Sequence, residues 1–111
     1  MVGYSHTTTG DGEAFLWKDG VVTRLGTLGG RYSEARGINN LGQVVGDSRT
    51  ADGKLHTFLW QNGVMQDLND LIPSNSKWTL REATAINGVG RIIGVGILDG
   101  KLHGFLLTPA P

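Results

Sequence analysis

Apolar residues in this chain fall in short runs closed by glycine or a polar side chain: "GQVVG" (42–46), "TFLW" (57–60), "RIIGVG" (91–96). The runs are rich in Val, Ile, Phe and Trp, the residues that suit a pleated, packed surface, and their length is that of strands. No segment keeps a 3.6-residue period long enough for a ten-residue helix. The nearest approach, "LNDLIPSNS" (68–76), is cut by Pro73, which cannot donate to a helical ladder. "KDGV" (18–21) and "QNGV" (61–64) each place Asp-Gly or Asn-Gly between two apolar runs. A type I′ turn needs positive φ at both central residues, so these pairs predict tight β-hairpins. The pattern predicts an all-β chain.

One stretch reads as four consecutive strands: A over 34–39, B over 43–48, C over 56–61 and D over 64–68. "NNLG" (39–42) turns A into B and "RTADGKL" (49–55) connects B to C. The D-to-A connection varies, "GTLGGRYS" (26–33) in one place and "NDLIPSNSKWTLR" (69–81) in the other. Strands B and C are apolar on consecutive residues. A sheet with one wet face would alternate, so both faces are expected to be covered.

The same phrases recur along the chain. Ile38, Asn39, Gly42 and Gly46 return as Ile86, Asn87, Gly90 and Gly94, and Phe15, Phe58 and Phe105 head three F-L phrases. "DGKLH" stands at 52–56 and again at 99–103, and the opening "VGYS" (2–5) matches "VGDS" (45–48). A period of 43–48 residues, each unit made of strands, is that of blade-type repeats. Antiparallel four-stranded units stacked face to face describe a β-propeller blade. The expected organisation is a single repeat domain over 1–111: a partial blade (1–28), a full blade (33–72) and a partial blade (78–108). That is a partial propeller of about two and a half blades.

The combination "LGTLGG", then "S-A--IN--GQVVG", then "FLW--G" resembles the HAF-type extracellular repeat of bacteria. Its eponymous triplet stands here as "EAF" (13–15), "HTF" (56–58) and "HGF" (103–105). The resemblance spans essentially the whole chain and implies a secreted or cell-surface address. "HGFLLTPAP" (103–111) is similar to the last repeat that precedes a sorting tail in such proteins. It carries over no catalytic residue. Counted in strands, the chain runs B-C-D, A-B-C-D, A-B-C. The reading is therefore either the C-terminal portion of a longer propeller, whose N-terminal blades are missing, or a homo-oligomer that shares its open edges.

Composition narrows the chemistry. With 111 residues the chain is one domain at most. Ten Lys and Arg balance ten Asp and Glu, which argues against a nucleic-acid surface. No run of 18 apolar residues predicts a membrane span, and no signal peptide opens the chain. Cysteine is absent, removing disulfides, thiol nucleophiles and Cys-based zinc sites. Eighteen glycines with only three prolines mark turns between short strands.

Candidate site residues are few. His56 and His103, with His6 as a third, could suggest a metal, but their equivalent positions in successive units point to a repeated structural hydrogen bond at the B–C loop. Trp17 and Trp60 lie mid-strand, where core packing is expected. Trp78 falls in the variable D-to-A segment and is the aromatic expected to be exposed and ligand-binding. Asp47, Asp52 and Asp99 lie on or beside B–C loops without the alternating acidic pattern of a calcium loop. Asn39 and Asn87 suit turn capping. Glu82 and Asp67 cannot be set as an acid–base pair by spacing, and the departing segment's Asp70, Lys77 and Arg81 form no recognisable constellation. No nucleotide-binding loop or nucleophile elbow is present. The expectation is a non-enzymatic extracellular module, without metal, cofactor or catalytic residue, that serves as scaffold or binding surface for a carbohydrate or a surface protein. The alternative is a portion of a propeller-fold polysaccharide hydrolase or lyase, since fold alone does not decide activity.

Overall fold

A computed structural model describes residues 2–6, 12–18, 20–72 and 76–108, with the backbone alone at 2–6 and Lys18. The described residues form an all-β structure of ten strands: β1 (Val2–His6), β2 (Gly12–Lys18), β3 (Val21–Gly26), β4 (Gly29–Ile38), β5 (Val44–Thr50), β6 (Leu55–Gln61), β7 (Val64–Asp67), β8 (Trp78–Ile86), β9 (Ile92–Leu98) and β10 (Lys101–Leu107). A single 3-10 turn, Leu68–Asp70, follows β7. Pro73, expected to interrupt the segment after it, lies outside the described residues.

Seven strands make one curled sheet, in the order β1-β2-β4-β5-β6-β7 with β3 also on β2. Its halves are joined by a single parallel pairing, Gly12 with Tyr32, while β4 to β7 run antiparallel in chain order. The last three strands form a separate antiparallel sheet, β10-β9-β8.

The turns follow local chemistry. Asn62 and Gly63 take φ of 52° and 81°, and Asp99 and Gly100 take 51° and 79°, the type I′ signature that joins β6 to β7 and β9 to β10. Asp19, in the first expected hairpin, lies outside the described residues. The β4–β5 and β8–β9 turns are built alike. Asn39 Oδ1 accepts from the backbone N–H of Leu41 and Gln43, and Asn87 Oδ1 from that of Val89 and Arg91. The left-handed residue in each is the glycine that follows, Gly42 or Gly90. Asn39 Nδ2 also donates to the Asn87 carbonyl at 3.1 Å, tying the two turns together.

β4 begins at Gly29, well before the expected start at Glu34, so "GGRYS" is strand and not connection. Two buried serines explain this. Ser33 Oγ donates to the Gly26 carbonyl at 2.6 Å and accepts from Ala14 N–H at 2.8 Å, and Ser48 Oγ accepts from Leu28 N–H at 2.8 Å. These bonds hold a glycine-rich segment, which has little apolar pattern of its own, onto the neighbouring strands.

Two cores flank the β4–β7 portion. On one face Val44, Phe58 and Ala35 pack with Ala14 and Leu25 of the first strands. On the other, Val45, Leu59 and Leu68 pack with Leu80, Ala83, Ile92 and Phe105 of the last three. β5 is therefore buried on both faces, as its unbroken apolar run predicts. Full burial of a side chain such as Phe58 contributes about 1.5–3 kcal/mol, and truncating it to Ala would cost about 3–5 kcal/mol. β4 and β8 each shift register in two places against their partners. At the repeated glycines of β5 and β9 the backbones come very close: a Cβ on Gly46 would stand 1.9 Å from the Glu34 carbonyl oxygen, and one on Gly94 2.0 Å from that of Glu82.

Candidate functional site

The β6–β7 hairpin puts His56 beside Asp67, with Nδ1 and Oδ2 2.6 Å apart. This corrects the expected tie to the B–C loop: the imidazole pairs across to the next strand. Asp67 Oδ1 also accepts from Asn69 N–H at 2.9 Å, and Asn69 in turn bonds both the N–H and the carbonyl of Leu80. One carboxylate thus anchors the end of β7 and, through Asn69, the start of the last sheet. At the equivalent places on β2 and β3, Glu13 accepts from Arg24. Acid and base have exchanged strands while the pairing persists. Arg24 is largely exposed, so its pair contributes only about 0–1 kcal/mol. His103, the third equivalent, meets Trp78 edge-on. The side chain of His6 lies outside the described residues.

Asp47 is buried in β5, where Arg36 Nε donates to its Oδ1 at 2.6 Å. Arg36 also donates to Glu34 Oε2 at 3.2 Å. Burial pushes the Asp47 carboxyl above its ordinary value, and the Arg36 hydrogen bond and charge offset only part of that; Glu34 and Glu82 add to the rise. The Arg36 guanidinium is held more firmly protonated, first by its hydrogen bond to Asp47. Opposite Asp47 in the β5–β6 register stands Thr57, fully buried, whose Oγ1 has no hydrogen-bond partner among the described residues. Asp47 is therefore part of an inter-strand ion pair and not of a loop. Asp52 lies on the exposed β5–β6 turn with Thr50 and Lys54, and Asp99 in its type I′ turn. Among the described residues no three His, Cys, Asp or Glu side chains gather where a metal ion could sit.

Trp78 is the first residue of β8 and half-buried, not the exposed loop aromatic expected. Its indole meets His103 at 6.1 Å and Phe105 at 6.4 Å between ring centroids, both edge-on. Such edge contacts contribute about 0.5–1.5 kcal/mol each beyond area burial. The indole nonetheless lines a crevice of about 300 Å³ with Ile72, Ser76, Phe105 and Leu107. A neighbouring crevice of about 420 Å³ shares Ile72 and Leu107, is otherwise walled by Leu59, Leu68, Ile86 and Ile92, and has Gln43 and Gln61 on its lining. Trp60 packs into the core, whereas its counterpart Trp17 is 45% exposed.

A third concavity, about 340 Å³, lies between the β5–β6 hairpin and the last sheet. Arg49, Lys54, His56 and Arg81 line it together with Leu55, Thr79 and Ile97. Sequence reading passed over this gathering because its four basic residues come from three separate strands and a turn. No helix among the described residues is long and apolar enough to cross a membrane.

No family model, no curated protein and no solved structure matches this chain.

Proposed function

We propose that the chain is a run of β-propeller blades of the HAF-type extracellular repeat, working at the cell surface as a non-enzymatic scaffold and binding module for a carbohydrate or protein ligand. The antiparallel chain-order pairing of β4 to β7, and the packing of the last sheet onto their face, support the blade reading. The observation that carries the binding reading is the Trp78 crevice. A half-buried indole there is held by His103 and Phe105 and still presents surface beside Ser76, an apolar plate next to a hydroxyl. Sugars offer C–H faces between hydroxyls and stack on such a plate. Two of the acid–base pairs, His56 with Asp67 and Glu13 with Arg24, are spent on a pairing that occupies equivalent places in the first two units. A repeated pair favours scaffolding, since catalysis needs its acid and base in one place only.

The test is a glycan-array screen with tryptophan-fluorescence titration of the hits, comparing the parent with Trp78→Ala and checking the fold by circular dichroism. Loss of the glycan signal in a folded variant is expected. An unchanged binding profile would remove the crevice as the site.

A further inference from the structure

The two internal packing contacts of this chain use the same pair of faces. One face carries Phe58 or Phe105, and the other carries Leu59 with Val45, one residue along each strand. Phe58 is fully buried on β2 and its neighbours, and Phe105 is buried on the β5–β6 face. The last sheet has a second, Leu59-type face that no other described residue covers. Ile93 and Leu106 are directly opposed on it, at 48% and 61% exposure. They occupy the repeat positions of Val45 and Leu59, which are 0% and 9% exposed. Val95 and Leu102 extend the same apolar face. At the other end of the chain, β2 and β3 present the Phe-type face. Phe15 stands at the position of Phe58, and Val22, 57% exposed, at that of Met65, which packs into the core.

We infer that a second copy of this chain covers the Ile93–Leu106 face with its own Phe15–Val22 face, head to tail. The occupant follows from the fold: the two exposed faces are the two halves of a contact the chain already makes twice internally. The first unit presents three strands to the four of the second, so the intermolecular contact is smaller than the internal ones and its association is concentration-dependent. Head-to-tail contacts are heterologous. They close into a ring if the rotation permits and otherwise extend as a filament. The inference rests on the packing of the sheets and not on ligand binding at Trp78, so a negative glycan screen leaves it standing.

The test is light scattering after size exclusion, over a wide range of concentration, on the parent, Leu106→Asp and Val22→Asp, and on a one-to-one mixture of the two variants. The parent is expected above the 11.9 kDa of one chain. Each variant alone should run at that mass, because an uncompensated carboxylate in an apolar contact weakens association roughly a hundredfold or more. The mixture should give a dimer and nothing larger, since it holds one intact Phe face and one intact Leu face. Ile93→Asp and Phe15→Ser serve as second variants, with circular dichroism to confirm folding. A parent that stays at 11.9 kDa throughout would overturn the inference, and would assign both faces to further repeats of a longer chain. Self-association of folded Leu106→Asp, or a mixture that fails to dimerise, would overturn it equally.

Discussion

A single methyl group at Gly46 should be among the most damaging small changes this fold can suffer. An ideal Cβ there stands 1.9 Å from the Glu34 carbonyl oxygen and 3.0 Å from Ala35 Cα, both backbone atoms of the adjacent strand. Neither can swing aside as a flexible side chain would, so β4 must move by about 1 Å or more to restore contact distances near 3.5 Å. Overpacking of this kind costs about 1–3 kcal/mol. Displacing β4 also weakens its ladder, at about 1 kcal/mol for each hydrogen bond lost. Against these, replacing Gly by Ala returns roughly 0.5–1 kcal/mol through the less flexible unfolded chain. The net expectation is a loss of about 3 kcal/mol, a large share of a small domain's total of about 5–15 kcal/mol. Two other glycines calibrate the figure. Gly88 has open space around its missing Cβ and no positive φ, so Gly88→Ala should be neutral or stabilising by about 0.5 kcal/mol. Gly42 also has open space but sits at φ 79°, so Gly42→Ala should cost about 1 kcal/mol through the backbone alone. Equilibrium urea unfolding followed by tryptophan fluorescence and far-UV circular dichroism reads all three. If Gly46→Ala falls within 1 kcal/mol of Gly88→Ala, the close approach of β4 and β5 is not what fixes that glycine.

Three further outcomes are expected. Asp67→Ala removes the His56 partner and the cap on Asn69 together, and should cost about 1–2 kcal/mol in urea unfolding; a change below about 0.5 kcal/mol would deny the pair its anchoring role. Thr57→Val replaces a buried hydroxyl, without a partner among the described residues, by a methyl and should stabilise by about 1 kcal/mol; destabilisation would show that the hydroxyl is bonded in solution. Asp47 titrates above its ordinary 3.8 when folded, so the folded state holds that proton more tightly than the unfolded chain. Its contribution to stability is therefore greatest where it is protonated and declines as pH rises from 3.8 through the raised value. Unfolding free energies of parent and Asp47→Asn measured from pH 3.5 to 7 should show the parent losing ground to the variant as pH rises; a difference growing the other way would refute the burial argument.

The strands were legible because their chemistry is local. Short Val, Ile and Phe runs closed by Asn-Gly or Asp-Gly leave little choice but hairpins, and the unbroken apolar run of β5 is buried on both faces as it predicts. The start of β4 was not legible. Gly29 to Ser33 has no apolar rhythm, and its place in the sheet depends on Ser33 and Ser48, whose partners lie seven to twenty residues away in sequence. Trp78 is not legible as a strand residue for a related reason. The segment before it has no counterpart elsewhere in the chain, and its place in the sheet is set by partners much later in sequence, the pairing with Leu98 on β9 and the ring contacts with His103 and Phe105 on β10.

The repeat also held a signal that reading one unit at a time does not use. Glu13 and Arg24 stand where His56 and Asp67 stand in the next unit, and each pair meets across its own hairpin. Neither position keeps its residue type or its charge, so neither looks important when positions are compared one by one. What persists is the complementarity between them. Each pair lies diagonally on one face of its hairpin, within reach of a side-chain hydrogen bond, so the two positions are constrained as a couple even when each drifts. His103, at the repeat position of His56, meets the edge of the Trp78 indole beside the crevice that Trp78 lines.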